Sequence, residues 1–493
     1  MKKNLFYLAL LSTMTFYSQT QIGIDIDSEA ASDYFGYSVS FSANGNALAV
    51  GAPLNDDNGN NSGHIRIYGK MYGVWTQIGV DIDGEVADDR SGQSVSLSAD
   101  GSTVAIGAPL NDGNGMNSGH VRVYQNISSV WTQIGSDIDG EAADDRFGSS
   151  VSISSDGIIV AICAPLNDEN GSNSGHVRVY QNISGVWTQI GTDINGEAAN
   201  DNSGSVGEVS LSSDGNVVAI GARLNQGNGS HSGHVRVYEN ISGVWTQIGA
   251  DINGEAVGDL SGFSVSLSAD GNFVAIGAVE NNGNGNNSGQ VRIYENISGV
   301  WTQIGADIDG ESAYDRFGWS VSISSDGSVV AIGSYENDGN GTDSGHVRVF
   351  ENISGVWTQM GIDIDGEAAG DGFGLSVSLS ADGSSVAVGA PYNGGNGTVS
   401  GHVRVFDLSA LLSLEANEIS KNFTAYPNPV NNQLQLELSP YLEFKKANIY
   451  NYSGQLVLQS KKPYINVSSL SSGIYFLEVE TNKGKGVKKI IKN

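Results

Sequence analysis

The sequence from Trp131 to Gly157 reads WTQIGSDIDGEAADDRFGSSVSISSDG, and close copies of it recur along most of the chain. A Gln-Ile-Gly or Gln-Met-Gly tripeptide marks seven copies, which begin at Gln21, Gln77, Gln133, Gln189, Gln247, Gln303 and Gln359. Successive copies are 56 residues apart, except for one step of 58 residues between Gln189 and Gln247. This period modestly extends the range that is typical of solenoids and propellers.

Each copy contains four short runs with the alternation or the β-branched content of strands. In the second copy these runs are residues 93–98, 104–108, 120–124 and 130–135. Two of their connections are tight turns, and the other two are longer segments rich in Asn, Asp and Gly. Four strands per unit are typical of a propeller blade.

The two ends of the repeat region complement each other. The seventh copy stops after its third strand, at residues 402–406, whereas residues 20–25 form an outer strand with no blade before it. If this N-terminal strand pairs with the last blade, all seven blades have four strands and the ring has no exposed edge. The sequence therefore predicts an all-β fold in which residues 19–407 form a seven-bladed β-propeller closed by the N-terminal strand.

The direction of the strands alternates within a blade. The two long connections of each copy must therefore lie on one face of the disc, and the two short turns on the other. The first face collects the acidic link DIDGEAADD and the loop LNDGNG, or their equivalents, from every copy. We expect this face to be acidic and polar.

The N-terminus has the order of a secretory signal peptide, because residues 1–18 place two lysines ahead of an apolar run. That run is too short to span a bilayer, and no later stretch approaches the roughly 20 apolar residues of a membrane helix. We therefore expect no transmembrane segment. The single cysteine, Cys163, excludes an intramolecular disulfide in spite of export.

The charge of the 493-residue chain is −30 and is unevenly distributed. Residues 411–493 hold ten lysines against six glutamates, so the excess of acidic residues belongs to the repeats. We interpret this change as a domain boundary. So acidic a body repels nucleic acid and anionic membranes and attracts cations or basic partners. Nucleic acid is therefore not expected as a partner.

Residues 35–53, 147–165 and 373–391, the second of which reads FGSSVSISSDGIIVAICAP, resemble FG-GAP repeats, the propeller modules of integrin alpha chains. The resemblance covers residues 20–407 and implies a seven-bladed propeller that binds partners through its loops. Many FG-GAP repeats hold Ca²⁺ in an acidic hairpin between the first two strands. Here that hairpin is shortened and keeps one acid, such as Asp100, so a calcium site of that type is not expected.

The C-terminal segments FTAYPNPVNNQLQLEL, ANIYNYSGQLVL, SSLSSGIYFLEVE and KKIIKN resemble a type IX secretion sorting domain of type A. The resemblance implies that residues 423–493 form a small β-sandwich, which the outer-membrane type IX secretion machinery of a gram-negative bacterium reads. Residues 408–422 are then a linker. The resemblance assigns the sorting signal to Tyr426, Pro427, Asn428, Pro429, Gly473, Tyr475, Lys488 and Lys489. It implies a secreted or cell-surface protein.

The acidic links offer hard oxygen ligands at short spacing around a glycine, which suits Ca²⁺. The candidate ligands are Asp81, Asp83, Glu85, Asp137, Asp139, Glu141, Asp307, Asp309, Glu311, Asp363, Asp365 and Glu367. The alternative is that each link is a solvated turn whose Asp side chains cap their own backbone. Near-identical repetition argues against catalysis, which needs one asymmetric constellation.

Every copy also carries an arginine in the middle of its third strand, between two valine or isoleucine residues. These are Arg66, Arg122, Arg178, Arg236, Arg292, Arg348 and Arg404. A buried arginine must be paired, so we expect each to meet an Asp or Glu of the repeat and to fix the packing of the blades.

Two other residue types recur once in most copies. A histidine precedes the third strand in six copies, and Gln290 takes its place in the remaining one, which favours hydrogen bonding over metal ligation. A tryptophan of the outer strand is interpreted as packing between blades rather than as a sugar platform.

No nucleophile, base and orienting group stand out from the repeats, and no Walker, zinc or dinucleotide motif occurs, so an enzyme is not expected. The sequence predicts a secreted or cell-surface binding or adhesion propeller. Its acidic loop face would contact a carbohydrate or protein partner, with Ca²⁺ as the one cofactor to consider. One alternative is a structural protein of an extracellular matrix or cell coat. The other is a polysaccharide-degrading enzyme, which would need non-repeated residues such as Trp319, Arg223 and His231 to gather in the central channel.

Overall fold

The structure of the protein, a computed structural model, describes residues 19–205, 207–409, 411–412, 422–451 and 456–493. The expected signal peptide, residues 1–18, and most of the expected linker, residues 408–422, lie outside the described residues. Within the described ranges, no helix combines the length and the apolar character that a membrane crossing requires.

Seven antiparallel sheets follow one another along the chain and share one strand order. The first strands are β3 (Ser38–Phe41), β8 (Ser94–Leu97), β13 (Val151–Ile153), β18 (Val209–Leu211), β23 (Ser261–Leu267), β28 (Ser320–Ile323) and β33 (Ser376–Leu379). The second strands are β4 (Ala47–Ala52), β9 (Thr103–Ala108), β14 (Ile159–Ala164), β19 (Val217–Ala222), β24 (Phe273–Ala278), β29 (Val329–Ser334) and β34 (Ser385–Ala390). Each first strand contacts the first strand of the next sheet, and β33 contacts β3, so the sheets form a closed ring of seven blades.

The remaining strands complete each blade outward. The third strands are β5 (His64–Met71), β10 (His120–Ile127), β15 (His176–Ile183), β20 (His234–Ile241), β25 (Gln290–Ile297), β30 (His346–Ile353) and β35 (His402–Asp407). The outer strands of the first six blades are β6 (Val74–Gln77), β11 (Val130–Gln133), β16 (Val186–Gln189), β21 (Val244–Gln247), β26 (Val300–Gln303) and β31 (Val356–Gln359).

A short fifth strand, which the sequence did not predict, follows each outer strand. In the first six blades these are β7 (Ile82–Asp83), β12 (Ile138–Asp139), β17 (Ile194–Asn195), β22 (Ile252–Asn253), β27 (Ile308–Asp309) and β32 (Ile364–Asp365). The expected outer strand at residues 130–135 instead ends at Gln133, and the chain turns at Gly135, where φ is 78°. A glycine suits this conformation, which L side chains rarely adopt. The chain then pairs again with the third strand, so that Val121 lies opposite Ile138.

The seventh blade takes both of its missing strands from the N-terminus. Strand β1 (Thr20–Gln21) pairs with β35, with Thr20 opposite Asp407, and β2 (Ile26–Asp27) pairs with β35, with Ile26 opposite Val403. The predicted closure by the N-terminal strand is confirmed. It holds because seven third strands and six following outer strands leave one edge that only the start of the repeat region can cover.

A ring of backbone hydrogen bonds joins the seven turns between first and second strands. The N–H of Ala43 donates to Ala99, and the donation continues through Ser155, Ser213, Ala269, Ser325 and Ala381 until Ala381 donates to Ala43, with distances of 2.8 to 3.0 Å. Every turn is both donor and acceptor, so one hydrogen bond joins each blade to the next around the whole ring.

The hydrophobic cores lie between neighbouring blades. One cluster joins Val121 and Val123 of the second blade to Phe147 and Val151 of the third, and the cluster that closes the ring joins the seventh blade to the first. The outer-strand tryptophans bridge the same interfaces, as Trp131 does by donating its indole N–H to the Ile78 carbonyl at 2.7 Å. Their expected packing role is confirmed.

The C-terminal region forms a separate pair of sheets. One contains β36 (Phe423–Tyr426), β37 (Gln433–Leu438) and β40 (Tyr464–Asn466), and the other contains β38 (Phe444–Tyr450), β39 (Leu456–Ser460), β41 (Gly473–Thr481) and β42 (Gly484–Lys492). Apolar residues of both sheets, such as Leu434 and Leu477, pack into one buried core, as expected of a small β-sandwich. Beyond the expected propeller boundary at residue 407, Leu408 and Leu411 pack into the core of the last blades.

Candidate functional site

The two long connections of each blade meet at the start of its third strand. In the second blade the long loop ends at His120, and the returning link places Asp139 opposite that residue. The Asn114 side chain of the loop donates to the Gly140 carbonyl of the link at 2.9 Å. We call the surface formed by these connections the loop face, and the opposite surface, with the short turns, the turn face.

The third-strand arginines lie directly beneath the loop face, and each contacts the glutamate of the preceding link. Arg66 and Arg178 contact Glu29 and Glu141. The other guanidinium–carboxylate distances are 3.6 to 3.9 Å for Arg122–Glu85, Arg236–Glu197, Arg292–Glu255, Arg348–Glu311 and Arg404–Glu367. Because the partners come from consecutive blades, these pairs join each blade to the next.

Several of these arginines also contact an aspartate of their own blade. Arg178 donates to Asp193 at 2.9 and 2.7 Å, and Arg66 donates to Asp81 at 3.1 Å. Burial opposes the charge of Arg178, but its hydrogen bonds with Asp193 and Glu141 outweigh that effect and raise its pKa. The guanidinium is therefore held as a cation within the acidic surface.

The structure divides the predicted calcium ligands of each link between two blades. Asp81, Asp137, Asp307 and Asp363 accept a hydrogen bond from the outer-strand Gln four residues earlier, at 2.5 to 2.7 Å. Glu85, Glu141, Glu311 and Glu367 contact the arginine of the following blade. Asp83, Asp139, Asp309 and Asp365 lie in the fifth strands, opposite His64, His120, Gln290 and His346. The aspartates and the glutamate of one link, although close in sequence, therefore contact residues of different blades.

Carboxylates instead gather with a histidine across the blade boundary. Glu85, His120 and Asp137 place possible ligand atoms within 4.8 Å of one another, and so do Glu141, His176 and Asp193. In the first blade Asp81 and Asp83 are grouped with Asp57 and His64. Arg122, Arg178 and Arg66 contact carboxylates of these three groups, so a guanidinium already supplies the positive charge that a metal would bring.

The hairpin that holds Ca²⁺ in other FG-GAP repeats does not fit a metal here. Asp100 Oδ1 accepts hydrogen bonds from the Ser98 hydroxyl and the Ser102 N–H, both at 2.8 Å, and Oδ2 accepts one from the Ser102 hydroxyl at 2.9 Å. The single carboxylate of this turn therefore closes the turn itself, as capping aspartates do.

The repeated histidines are buried and neutral. His176 is 1% exposed, and its Nδ1 lies 3.8 Å from Asp193. Burial, reinforced by Arg178, lowers its pKa to about 4. Neither ring nitrogen of His64, His176 or His234 has a hydrogen-bond partner among the described residues, so the expected hydrogen-bonding role is wrong for these three.

A buried aspartate, which the sequence offered only as a further oxygen ligand of the link, closes each link. Asp33, Asp89, Asp145, Asp201, Asp259, Asp315 and Asp371 are 2 to 4% exposed. Asp89 Oδ2 accepts hydrogen bonds from the Val86 N–H at 3.2 Å and from the Asn111 side chain at 3.1 Å, and so ties the link to the long loop. Its presence at one position in all seven copies was the available signal, but the exposed neighbour Asp88 carries the same residue type.

We expect Asp89→Ala to lower the free energy of unfolding by about 2 kcal/mol, because the buried Asn111 side chain and the Val86 N–H lose their acceptor. Chemical denaturation of the purified protein measures this. The matched control is Asp88→Asn, which changes an exposed carboxylate and should stay within about 0.5 kcal/mol of the parent. Equal effects of the two changes would show that the buried hydrogen bonds are unimportant.

The loop-face end of the central channel departs from sevenfold symmetry. A cavity of about 540 Å³ is lined there by residues that include Arg223, Phe263 and Trp319. The Trp319 ring centroid lies 4.4 Å from that of Phe263 and 4.4 Å from that of Tyr335, and the Arg223 guanidinium lies 5.0 Å from the Phe263 centroid. We call Arg223, Phe263, Trp319 and Tyr335 the mouth cluster.

A pair of Arg223 with the buried Glu208 supports the mouth cluster from one side. Glu208 is fully buried, and its Oε1 lies 3.3 Å from Arg223 Nη1, while Oε2 accepts a hydrogen bond from the Ser205 N–H at 2.8 Å. Burial raises the pKa of Glu208 to about 8, although Arg223 acts in the opposite direction. Glu208 lies in the one copy that is two residues longer than the others, so the irregular spacing marks the mouth.

The structure brings Trp319 and Arg223 together but leaves His231 apart. His231 is exposed in a long loop and does not line the cavity. Phe263, Tyr335 and Glu208 were missed by sequence reasoning. Comparing equivalent positions of the seven copies would have found them, because Glu208 replaces a serine and Tyr335 replaces the usual proline.

The residues of the predicted sorting signal lie near one another on the strands of the C-terminal sandwich. Tyr426, Pro427, Asn428 and Pro429 are exposed at the end of β36. The Asn428 side chain donates to the Lys489 carbonyl at 3.0 Å and accepts the Ile491 N–H at 2.8 Å, so this segment is tied to β42. Gly473 and Tyr475 lie on β41, which pairs with β42, and Lys488 lies 5.2 Å above the Phe423 ring.

Two families match this architecture. The FG-GAP repeat family matches residues 27–68, 80–124, 137–180, 307–350 and 362–406. The family of secretion system C-terminal sorting domains matches residues 424–493. The protein is an FG-GAP-repeat propeller with a type IX sorting domain. The sorting domain indicates export by type IX secretion to a secreted or cell-surface location. Glu208, Arg223 and Phe263 lie outside the matched FG-GAP ranges.

A search of curated proteins finds no match to the chain. Among solved structures, the "Crystal structure of a putative 6-phosphogluconolactonase from Bacteroides uniformis" is 12% identical, with a TM-score of 0.47. The similarity covers 67% of this chain and 86% of that chain.

Proposed function

We propose that this FG-GAP protein is an exported binding module that contacts an extracellular carbohydrate or protein partner through its loop face. The observation that carries the proposal is the placement of both long connections of every blade on that face. There they are fixed by inter-blade Arg–Glu pairs such as Arg122–Glu85 and Arg236–Glu197. A rigid face built from many loops is how scaffold folds commonly present binding residues.

We propose binding rather than catalysis, because the sevenfold part of the loop face repeats one arrangement instead of forming one asymmetric constellation. We also propose that Ca²⁺ is not required. The Asp81 and Asp137 carboxylates already accept hydrogen bonds from glutamine side chains, and Arg66 and Arg122 lie beside the acids as cations. The outer-membrane type IX secretion machinery remains the partner of the sorting domain.

The test labels the two faces separately. Ser230→Cys places a thiol on the loop face, and Ser242→Cys places one on the turn face of the same blade, at two exposed positions. Cys163 is fully buried and should not react. The full mature chain, with and without a bulky maleimide at each thiol, is applied to arrays of glycans and extracellular proteins, in calcium and in a chelator.

We expect the parent chain to bind a partner equally in calcium and in chelator. The label at residue 230 should abolish binding, and the label at residue 242 should leave it intact. Failure of the parent chain to bind any probe, or unchanged binding by the chain labelled at residue 230, would overturn the proposal. Loss of binding in the chelator would overturn the calcium-independent form of it.

A further inference from the structure

We propose that the mouth of the central channel is a binding site for a neutral sugar ring of an extracellular polysaccharide, held by Trp319, Phe263 and Arg223. The inference rests on the proposed binding function and adds the place and the ligand class. The propeller fold does not require the mouth cluster, because other blades close with different residues at the equivalent positions.

The other blades identify what the fold needs at these positions. At the register of Trp319 and Phe263, the first blade has Tyr37, the second Gln93, the third Ser149 and the seventh Leu375. At the register of Tyr335 and Arg223, four blades have proline and the fifth has Val279. Aromatic and cationic side chains are therefore not needed for closure of a blade. Arg223, Phe263, Trp319 and Tyr335 come from the fourth, fifth and sixth blades, and together they make the mouth asymmetric, as a site for one ligand must be.

Glu208 shows that the fold gives up a favourable contact at this mouth. At the same register in other blades, Ser38 and Ser94 donate to a glycine carbonyl of the next blade at 2.8 Å. Glu208 replaces that serine with a fully buried carboxylate whose Oε1 has no hydrogen-bond partner among the described residues. Burying a carboxylate is unfavourable unless it is paired, and its charge partner here is Arg223. The pair positions the guanidinium beside Phe263, at the cavity.

The shape and chemistry of the cavity suit a sugar. A volume of about 540 Å³ lies within the usual range for small-molecule sites. The C–H groups of a pyranose ring pack on aromatic faces, which Phe263 and Trp319 supply as adjacent rings. Sugar hydroxyls need donors and acceptors, and Tyr37 and Tyr392 also line the cavity with polar atoms. Arg223 adds guanidinium donors.

The charge of the protein selects against anionic sugars. The chain carries a net charge of −30, and the acidic links surround the mouth on the loop face. A field of this sign repels uronate polymers from the opening. At the mouth itself Arg223 lies 3.3 Å from Glu208, and Arg316 lies 3.1 Å from Glu336.

The experiment measures binding of the full mature chain to neutral oligosaccharides, with polygalacturonate and alginate oligomers as anionic probes, by calorimetry. The variants are Trp319→Gln and Phe263→Ser, each of which installs the residue of a sister blade. The control is Gln93→Ser, which alters the same cavity away from the mouth cluster. We expect at least about tenfold weaker binding for each cluster variant, the effect of losing one aromatic contact, and little change for the control.

Each cluster variant is first checked for an unchanged melting temperature, so that weaker binding cannot be ascribed to unfolding. If Trp319→Gln does not fold, the binding of Phe263→Ser tests the proposal. Binding of proteins but not of sugars would overturn this inference and leave the proposed function standing. Preference for the anionic probes, or equal loss in Gln93→Ser, would also overturn it. Release of new reducing ends from the oligosaccharides would show catalysis at the mouth and would overturn the proposal of a binding site. No ligand of any kind for the parent chain would overturn both proposals.

Discussion

A chain that begins after Asp27 should melt about 10 °C or more below the full mature chain. Its seventh blade would lack both the outer and the fifth strand, and the edge of β35 would be exposed from His402 to Asp407. The lost contacts include the buried side chain of Ile26 and the pairing of Arg404 with Asp25. Trp75 would lose the Ile22 carbonyl that accepts its indole N–H at 3.1 Å.

The size of this effect follows from the number of interactions that are lost together. Each backbone hydrogen bond contributes about 1 kcal/mol and burial of Ile26 about 2 kcal/mol, so the total is roughly 5 to 10 kcal/mol. A loss of that size shifts the melting temperature of a domain of a few hundred residues by about 10 °C or more. The open edge should also promote association of the truncated chains.

Calorimetric melting of the two chains provides the measurement, and a synthetic peptide of residues 19–27 provides the control. Added in excess, the peptide should raise the melting temperature of the truncated chain with increasing concentration, because it binds only the folded state. The full chain should not respond. Equal melting of the full and truncated chains would mean that the N-terminal strands do not hold the ring closed.

The repeat made the fold predictable from sequence. The number of blades, the four main strands and the closing strand were predicted from the repeat period, the turn residues and the offset ends of the repeat region. These features could be predicted because they depend on local sequence pattern or on counting copies. The fifth strand was not predictable in this way. A two-residue strand such as β12 has too little pattern to recognise, and it forms only because the turn at Gly135 returns the chain to Val121.

The partners of the acidic residues were much less predictable, because neighbours in sequence separate in space. Asp137 and Glu141 are four residues apart, yet one accepts a hydrogen bond from its own blade and the other contacts Arg178 of the next. Asp88 and Asp89 are adjacent, yet one is exposed and the other buried. The mouth cluster required the ring itself, since Arg223 and Trp319 lie about a hundred residues apart in the chain and become close only through Phe263.

Acidification from pH 7 to pH 5 should lower the free energy of unfolding by several kcal/mol. The six repeat histidines are at most 2% exposed, and burial lowers the pKa of each in the folded protein. For His120, His176, His234 and His346 the pKa falls to about 4. Arginine neighbours such as Arg178 reinforce the shift, whereas Asp193 and Glu141 oppose it.

The direction of the effect follows from proton uptake. In the unfolded chain an imidazole takes up a proton near pH 6.5, whereas the folded His120, His176, His234 and His346 stay neutral until about pH 4. The stability present at neutral pH is therefore lost as the pH falls through 6.5. Each histidine contributes up to about 1.4 kcal/mol per pH unit in that interval. Glu208 and the buried aspartates Asp89, Asp145 and Asp315 have a raised pKa, and their protonation acts in the opposite sense.

Because the acidic residues also titrate in this range, the effect of the histidines is best measured by comparing the pH dependence of the melting temperature between variants. The combined variant His120→Gln, His176→Gln and His234→Gln installs the residue that the fifth blade has at Gln290, and it should lose about half of the pH dependence of the melting temperature, since three of six buried imidazoles are gone. The control His231→Gln removes an exposed histidine and should keep the full dependence. A parent protein that melts equally at pH 7 and pH 5, or a control that flattens the profile as much as the triple variant does, would show that the buried imidazoles do not govern the stability of the ring in acid.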